Sequence, residues 1–130
     1  MYDNGKIYLG LSGEERVELP LSMCNRHGLI AGATGTGKTI TMKVLAESLS
    51  DAGVPVFLCD VKGDVAGICA PGADSEDMRE RIERFKLAGK FAYRGYPTVF
   101  WDIYQTGGHA VGAEILRRRL PYVVGVVLLG

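Results

Sequence analysis

The sequence has no disulfide or zinc framework. Its three cysteines, Cys24, Cys59 and Cys69, are odd in number and form no CxxC pair. Its two histidines, His27 and His109, stand apart from them and from each other. The ligand spacing of a zinc site is therefore missing, and unpaired thiols fit a reducing cytoplasm. Long apolar runs are missing too. The longest, Leu120 to Leu129, spans about ten residues and is broken by Pro121, whereas a membrane-spanning helix needs about 20. The opening stretch Met1-Tyr2-Asp3-Asn4-Gly5-Lys6 has no apolar signal region. These absences predict a soluble, cytoplasmic chain with no membrane partner. Net charge is absent as well, since 15 Lys and Arg balance 15 Asp and Glu. That balance excludes an overall basic surface for nucleic acid or anionic lipid.

What is present is apolar residues and glycine. Hydrophobic residues make up 47% of the chain, enough for a packed core. A length of 130 residues predicts one domain, residues 1–130. Glycine occurs 18 times, roughly twice the usual share, and clusters around Gly32 to Gly37.

The pattern along the chain alternates strands and helices. Lys6–Leu9 and Arg16–Leu19 flank a polar turn, which predicts a β-hairpin within an N-terminal region, residues 1–22. His27–Ala31 reads as a buried strand that runs into the glycine loop. A helix is predicted from about Gly37 to Asp51, with Ile40, Val44, Leu45 and Leu49 on its buried face and Gly53 as its stop. Pro55–Cys59 is the next strand. Strand, loop, helix and strand make a βαβ unit with parallel strands. Ser75–Lys86 reads as a second helix, capped by Asp74 or Ser75 and buried through Met78, Ile82 and Phe85. Thr98–Trp101 is a third core strand and Gln105–His109 a loop. A third helix is expected around Val111–Leu120 and a last strand at Val123–Leu129. The fold class expected is α/β, with a partial, mainly parallel sheet flanked by helices.

Chemistry concentrates in Gly32-Ala33-Thr34-Gly35-Thr36-Gly37-Lys38-Thr39, which fits GxxxxGK[ST] between a predicted strand and a predicted helix. Backbone N–H groups of such a loop surround a phosphate, and the helix N-terminus adds positive charge. Gly35 and Gly37 allow backbone angles and close approach that a side chain would prevent. Lys38 supplies a cation for β- and γ-phosphates, and the Thr39 hydroxyl is a magnesium ligand. A glycine-rich turn of the same spelling but no function is the plain alternative, and the agreement of motif and context weighs against it.

Asp60 ends the strand after this helix and opens Asp60-Val61-Lys62-Gly63-Asp64. Ligands in such sheets bind beyond the carboxyl ends of the strands. A carboxylate there could reach a magnesium water or orient an attacking one. It could equally cap a turn. Asp102, at the end of Val99-Phe100-Trp101, has the look of a magnesium-side acid but no neighbouring Glu. His109 reads as a loop residue, Arg117-Arg118-Arg119 as a solvated helix end, and Phe91 and Tyr93 as packing residues.

The run Asn25 to Thr39 resembles the P-loop region of bacterial HerA/FtsK-type ATPases. Asp51-Ala52-Gly53-Val54-Pro55-Val56, the Asp60 loop, Gly67, Phe100-Trp101-Asp102 and Gly108-His109 narrow the likeness. Over roughly residues 5–112 the chain is similar to HerA-like helicase C-terminal-domain proteins. The resemblance implies a RecA-like P-loop NTPase fold, ATP with Mg²⁺, and a ring of subunits. DNA is implied as the substrate of its better-studied relatives. It carries phosphate binding onto Gly35, Gly37, Lys38 and Thr39, with Gly32, Ala33, Thr34, Thr36 and Ile40 completing the cradle. It carries metal and catalytic roles onto Asp60 and a catalytic role onto Lys38. The family's Walker B pair, sensor and arginine finger fall beyond position 130, so the sequence reads as an N-terminal portion of such an ATPase. Two alternatives stand beside ATP hydrolysis: a nucleotide-binding module without turnover, and a small-molecule kinase.

Overall fold

The structure, a computed structural model, describes residues 1–60, 63–102, 109–110 and 124–128. Its first unit is a three-stranded antiparallel sheet of β1 (Tyr2–Asp3), β2 (Lys6–Ser12) and β3 (Glu15–Pro20), in that order. Asn4 and Gly5, both at positive φ, turn β1 into β2, and Gly13, also at positive φ, helps turn β2 into β3. The expected hairpin thus gains a third strand. Ile7 is fully buried. Tyr8, pointing the other way along the pleat, donates its hydroxyl proton to the Phe85 carbonyl at 2.9 Å.

The second sheet contains β4 (Val56–Asp60), β5 (Thr98–Asp102), β6 (His109–Ala110) and β7 (Val124–Leu128). Its order is β4-β7-β5-β6 and every pair is parallel. The chain is therefore mixed α/β rather than mainly parallel, because the N-terminal strands keep an antiparallel sheet of their own. His109 falls in β6 and not in a loop. The expected helix at Val111–Leu120 lies outside the described residues.

Between the sheets lies α1 (Lys38–Asp51), which touches β1, β2 and β4. It begins and ends close to the expected bounds, and Gly53 at φ +77° follows its stop. The buried face differs from expectation. Met42 and Ala46 meet Val56, Leu58, Val65, Ile68, Tyr96 and Phe100 in the core, whereas Ile40 is 50% exposed. A helix covered from two sides needs no single apolar stripe. Even its polar Ser48 is fully buried, with its hydroxyl donating to the Val44 carbonyl at 2.6 Å.

Two expectations fail for want of partners. His27–Ala31 is not a strand, and Leu29 is 89% exposed. A strand is stable only beside another, and no described strand pairs with this run. The second helix, α2 (Glu76–Arg84), forms with Ser75 as its cap, but none of its residues is buried. Met78, Ile82 and Phe85 are half-buried, and the buried anchor is Leu87, just beyond the helix.

Candidate functional site

The glycine loop runs into the N-terminus of α1 as the sequence predicts. Gly35 and Gly37 sit at φ +82° and +94°, in the region that favours glycine. Gly32 has a different reason to lack a side chain: a Cβ there would lie 2.5 Å from Thr36 Oγ1. The loop is drawn together by one acceptor, the Ala33 carbonyl. It receives the Thr36 hydroxyl at 2.8 Å, the Thr36 N–H at 3.4 Å and the Lys38 ammonium at 2.6 Å. Lys38 is thus folded over the loop that precedes it. Lys38 and Thr39 are half-buried, and Gly32 to Thr36 are exposed.

The two helix starts differ in a way that bears on charge. The N-terminus of α2 is neutralised locally. Ser75 Oγ accepts from the Met78 N–H at 3.2 Å, and Glu76 and Asp77 stand in its first turn. The N-terminus of α1 has neither device. Its cap is Gly37, without a side chain, its first turn holds no acid, and Lys38 adds a positive charge. The first N–H groups of a helix lack intrahelical acceptors and carry partial positive charge. An anion would meet both there.

Topology brings the Asp60 loop to the same end. A short turn over residues 52–55 reverses the chain from α1 into β4. The start of α1 therefore lies toward the carboxyl end of β4, where Asp60 stands. Asp102 closes β5 at the same level, since Asp60 and Asp102 both pair with Leu128 of the intervening β7. The Asp60 carboxylate is 4% exposed and turned into its own loop. Oδ1 accepts from the N–H groups of Gly63 at 2.9 Å and Asp64 at 3.2 Å, and Oδ2 from that of Val65 at 2.7 Å. This is the turn-capping geometry. Asp64 is exposed. No group of three or more His, Cys, Asp or Glu side chains capable of holding a metal forms among the described residues.

Sequence reasoning missed Gly95. A Cβ on it would run into the Cys69 carbonyl, because the Tyr96 N–H donates to the Ile68 carbonyl at 2.9 Å. That contact docks residues 94–96 on the short 3₁₀ turn Ala66–Cys69, which follows the Asp60 loop. Nothing local to Gly95 announces it. Phe91 and Tyr93 pack edge-to-face with ring centres 5.0 Å apart, as expected of packing residues. Arg117 to Arg119 lie outside the described residues. No helix among the described residues is long and apolar enough to cross a membrane.

No curated protein and no solved structure matches the chain. A family defined as helicase HerA-like C-terminal matches residues 8–119, which spans the loop, α1, the Asp60 segment and β5. The chain belongs to the HerA-like helicase C-terminal family.

Proposed function

We propose that this chain binds ATP with Mg²⁺ through residues 32–40 and acts in the HerA/FtsK ATPase class. In that class hydrolysis is coupled to movement or processing of DNA by assembled subunits. The observation that carries the reading is the start of α1, where the cap Gly37 has no side chain to accept a hydrogen bond, the first turn holds no acid and Lys38 adds a positive charge. A phosphate group suits such a loop, since Gly35 and Gly37, both at positive φ, place no side chain over their own N–H groups. The available donors suit magnesium also: Thr39 offers a hard oxygen, and Mg²⁺ keeps most of its waters.

The residues divide the work. The loop amides and α1 hold the phosphates. Lys38 releases the Ala33 carbonyl and places its ammonium against the β- and γ-oxygens. Thr39 would offer its hydroxyl as a ligand to Mg²⁺. When bound, Mg²⁺ neutralises charge that develops on the transferring phosphoryl group. The acidic loop that begins at Asp60 supplies a carboxylate at the same end of the sheet. A neighbouring subunit would contribute an arginine, worth about 10³–10⁵ in rate.

Calorimetric titration with Mg-ATP tests this, with Lys38→Ala in parallel. The wild type is expected to bind. The variant should lose about 1.5–3 kcal/mol for each charged hydrogen bond removed. Equal binding by the two would sink the proposal. A second reading, binding without turnover, draws on the engagement of the Asp60 carboxylate by loop amides. Turnover no faster than in buffer, with binding intact, would select it.

A further inference from the structure

We propose that Asp60 is a positioning residue, whose carboxylate shapes the loop after β4 and so presents Asp64 as the acid for nucleotide-bound magnesium; the second half of this rests on the nucleotide reading above. Three backbone N–H groups in succession, those of Gly63, Asp64 and Val65, donate to the two Asp60 oxygens at 2.7–3.2 Å. A carboxylate that accepts this many amide hydrogens has little capacity left for a metal. Burial points the same way. Asp60 is 4% exposed, and Val65, at the far end of the wrapped segment, is 2% exposed in the core beside Ala46 and Ile68. Asp60 thereby ties the core to the loop.

The wrapped segment turns at Gly63, whose φ of +76° suits glycine and lets three consecutive amides converge on one side chain. The next residue, Asp64, gives its N–H to Asp60 while remaining exposed. The loop therefore offers one engaged carboxylate and one solvent-facing carboxylate, at the sheet end toward which α1 begins. The exposed acid is the one able to order a magnesium water without first breaking backbone hydrogen bonds.

The test uses the whole chain with Asp60→Asn, Asp60→Ala and Asp64→Asn. Amide hydrogen exchange by NMR reads the positioning role without nucleotide. Exchange at Gly63, Asp64 and Val65 is expected to quicken by about tenfold or more in Asp60→Ala. Asp60→Asn, which keeps one carbonyl acceptor, should restore part of the protection. Asp64→Asn should leave protection and melting temperature unchanged. Affinities for ATP with and without Mg²⁺ read the metal role. Asp64→Asn is expected to shrink the advantage that Mg²⁺ confers, whereas Asp60→Asn should weaken both forms alike. Unchanged protection in Asp60→Ala overturns the positioning role. Loss of the Mg²⁺ advantage in Asp60→Asn but not in Asp64→Asn overturns the assignment of the acids. Failure of the wild type to bind ATP would remove the role given to Asp64 along with the nucleotide reading. The exchange result would still decide Asp60.

Discussion

Individual glycines carry three different constraints here. Gly35 and Gly37 are needed for their positive φ, Gly32 for the room taken by Thr36, and Gly95 for the approach of another backbone. The first two follow from the local run of glycines, since a loop that turns its amides inward visits the left-handed region. The third and fourth depend on atoms the motif does not mention. Gly95→Ala should be the most costly of these for stability. Its Cβ meets a carbonyl rather than a movable side chain, and relief requires residues 94–96 to lift off the Ala66–Cys69 turn. Overpacking of this kind costs about 1–3 kcal/mol. The urea midpoint should fall accordingly, and an unchanged midpoint would show that the turn yields freely.

Helices α1 and α2 show how far an element can be read from its own residues. Their positions were legible because caps, stops and first-turn charges are local. Ser75 caps α2, and Gly53 follows the end of α1. Burial was less legible. The spacing of Ile40, Val44, Leu45 and Leu49 suggested one buried face, yet α1 buries Ala46, with the half-buried Met42 beside it, against one sheet and Ser48 within the molecule. The polar α2 depends more on its ends. Ser75→Ala removes the hydroxyl that accepts from Met78 and should cost about 1 kcal/mol. Arg79 pairs with Asp74 beside this cap, and the arginine holds the Asp74 carboxyl below its ordinary pKa. Helical signal in circular dichroism should melt earlier in the variant. A coincident melt would mean that α2 is held by Leu87 and the Tyr8 to Phe85 hydrogen bond instead.

Across the whole molecule, the two sheets meet through α1, and the join carries a half-buried acid, Glu47. Burial pushes the Glu47 carboxyl above its ordinary pKa. The Asp51 charge reinforces the shift, while the Met1 amino group, Lys43 and Arg94 oppose it. Asp51 lies at the end of α1, where it meets Arg94, the Tyr96 hydroxyl and the Met1 amino group. For a carboxyl raised in the fold, stability is fully present below the unfolded pKa and declines as pH rises through the folded one. Glu47→Gln removes that titration. Its melting temperature should therefore gain on that of the wild type as pH rises through and above the ordinary glutamate range. A gap that narrows as pH rises would show that the cationic neighbours outweigh burial.

The sequence by itself determined what depends on neighbours along the chain. The phosphate-loop spelling, the bounds of α1, the place of α2 and the strands β4 and β5 all rest on patterns a few residues long. The family, too, follows from residues in order. The tertiary structure decided which run found a partner and which group was already engaged. His27–Ala31 has the composition of a strand but no described neighbour to pair with, because ladder hydrogen bonds come from distant residues. The N-terminal strands close on themselves as an antiparallel sheet rather than joining the parallel one. Asp60 has the position expected of a metal-side acid, yet its oxygens meet the amides of residues 63–65 and its side chain is buried. A residue's type states what bonds it can make, and only the folded chain decides which partner reaches it first.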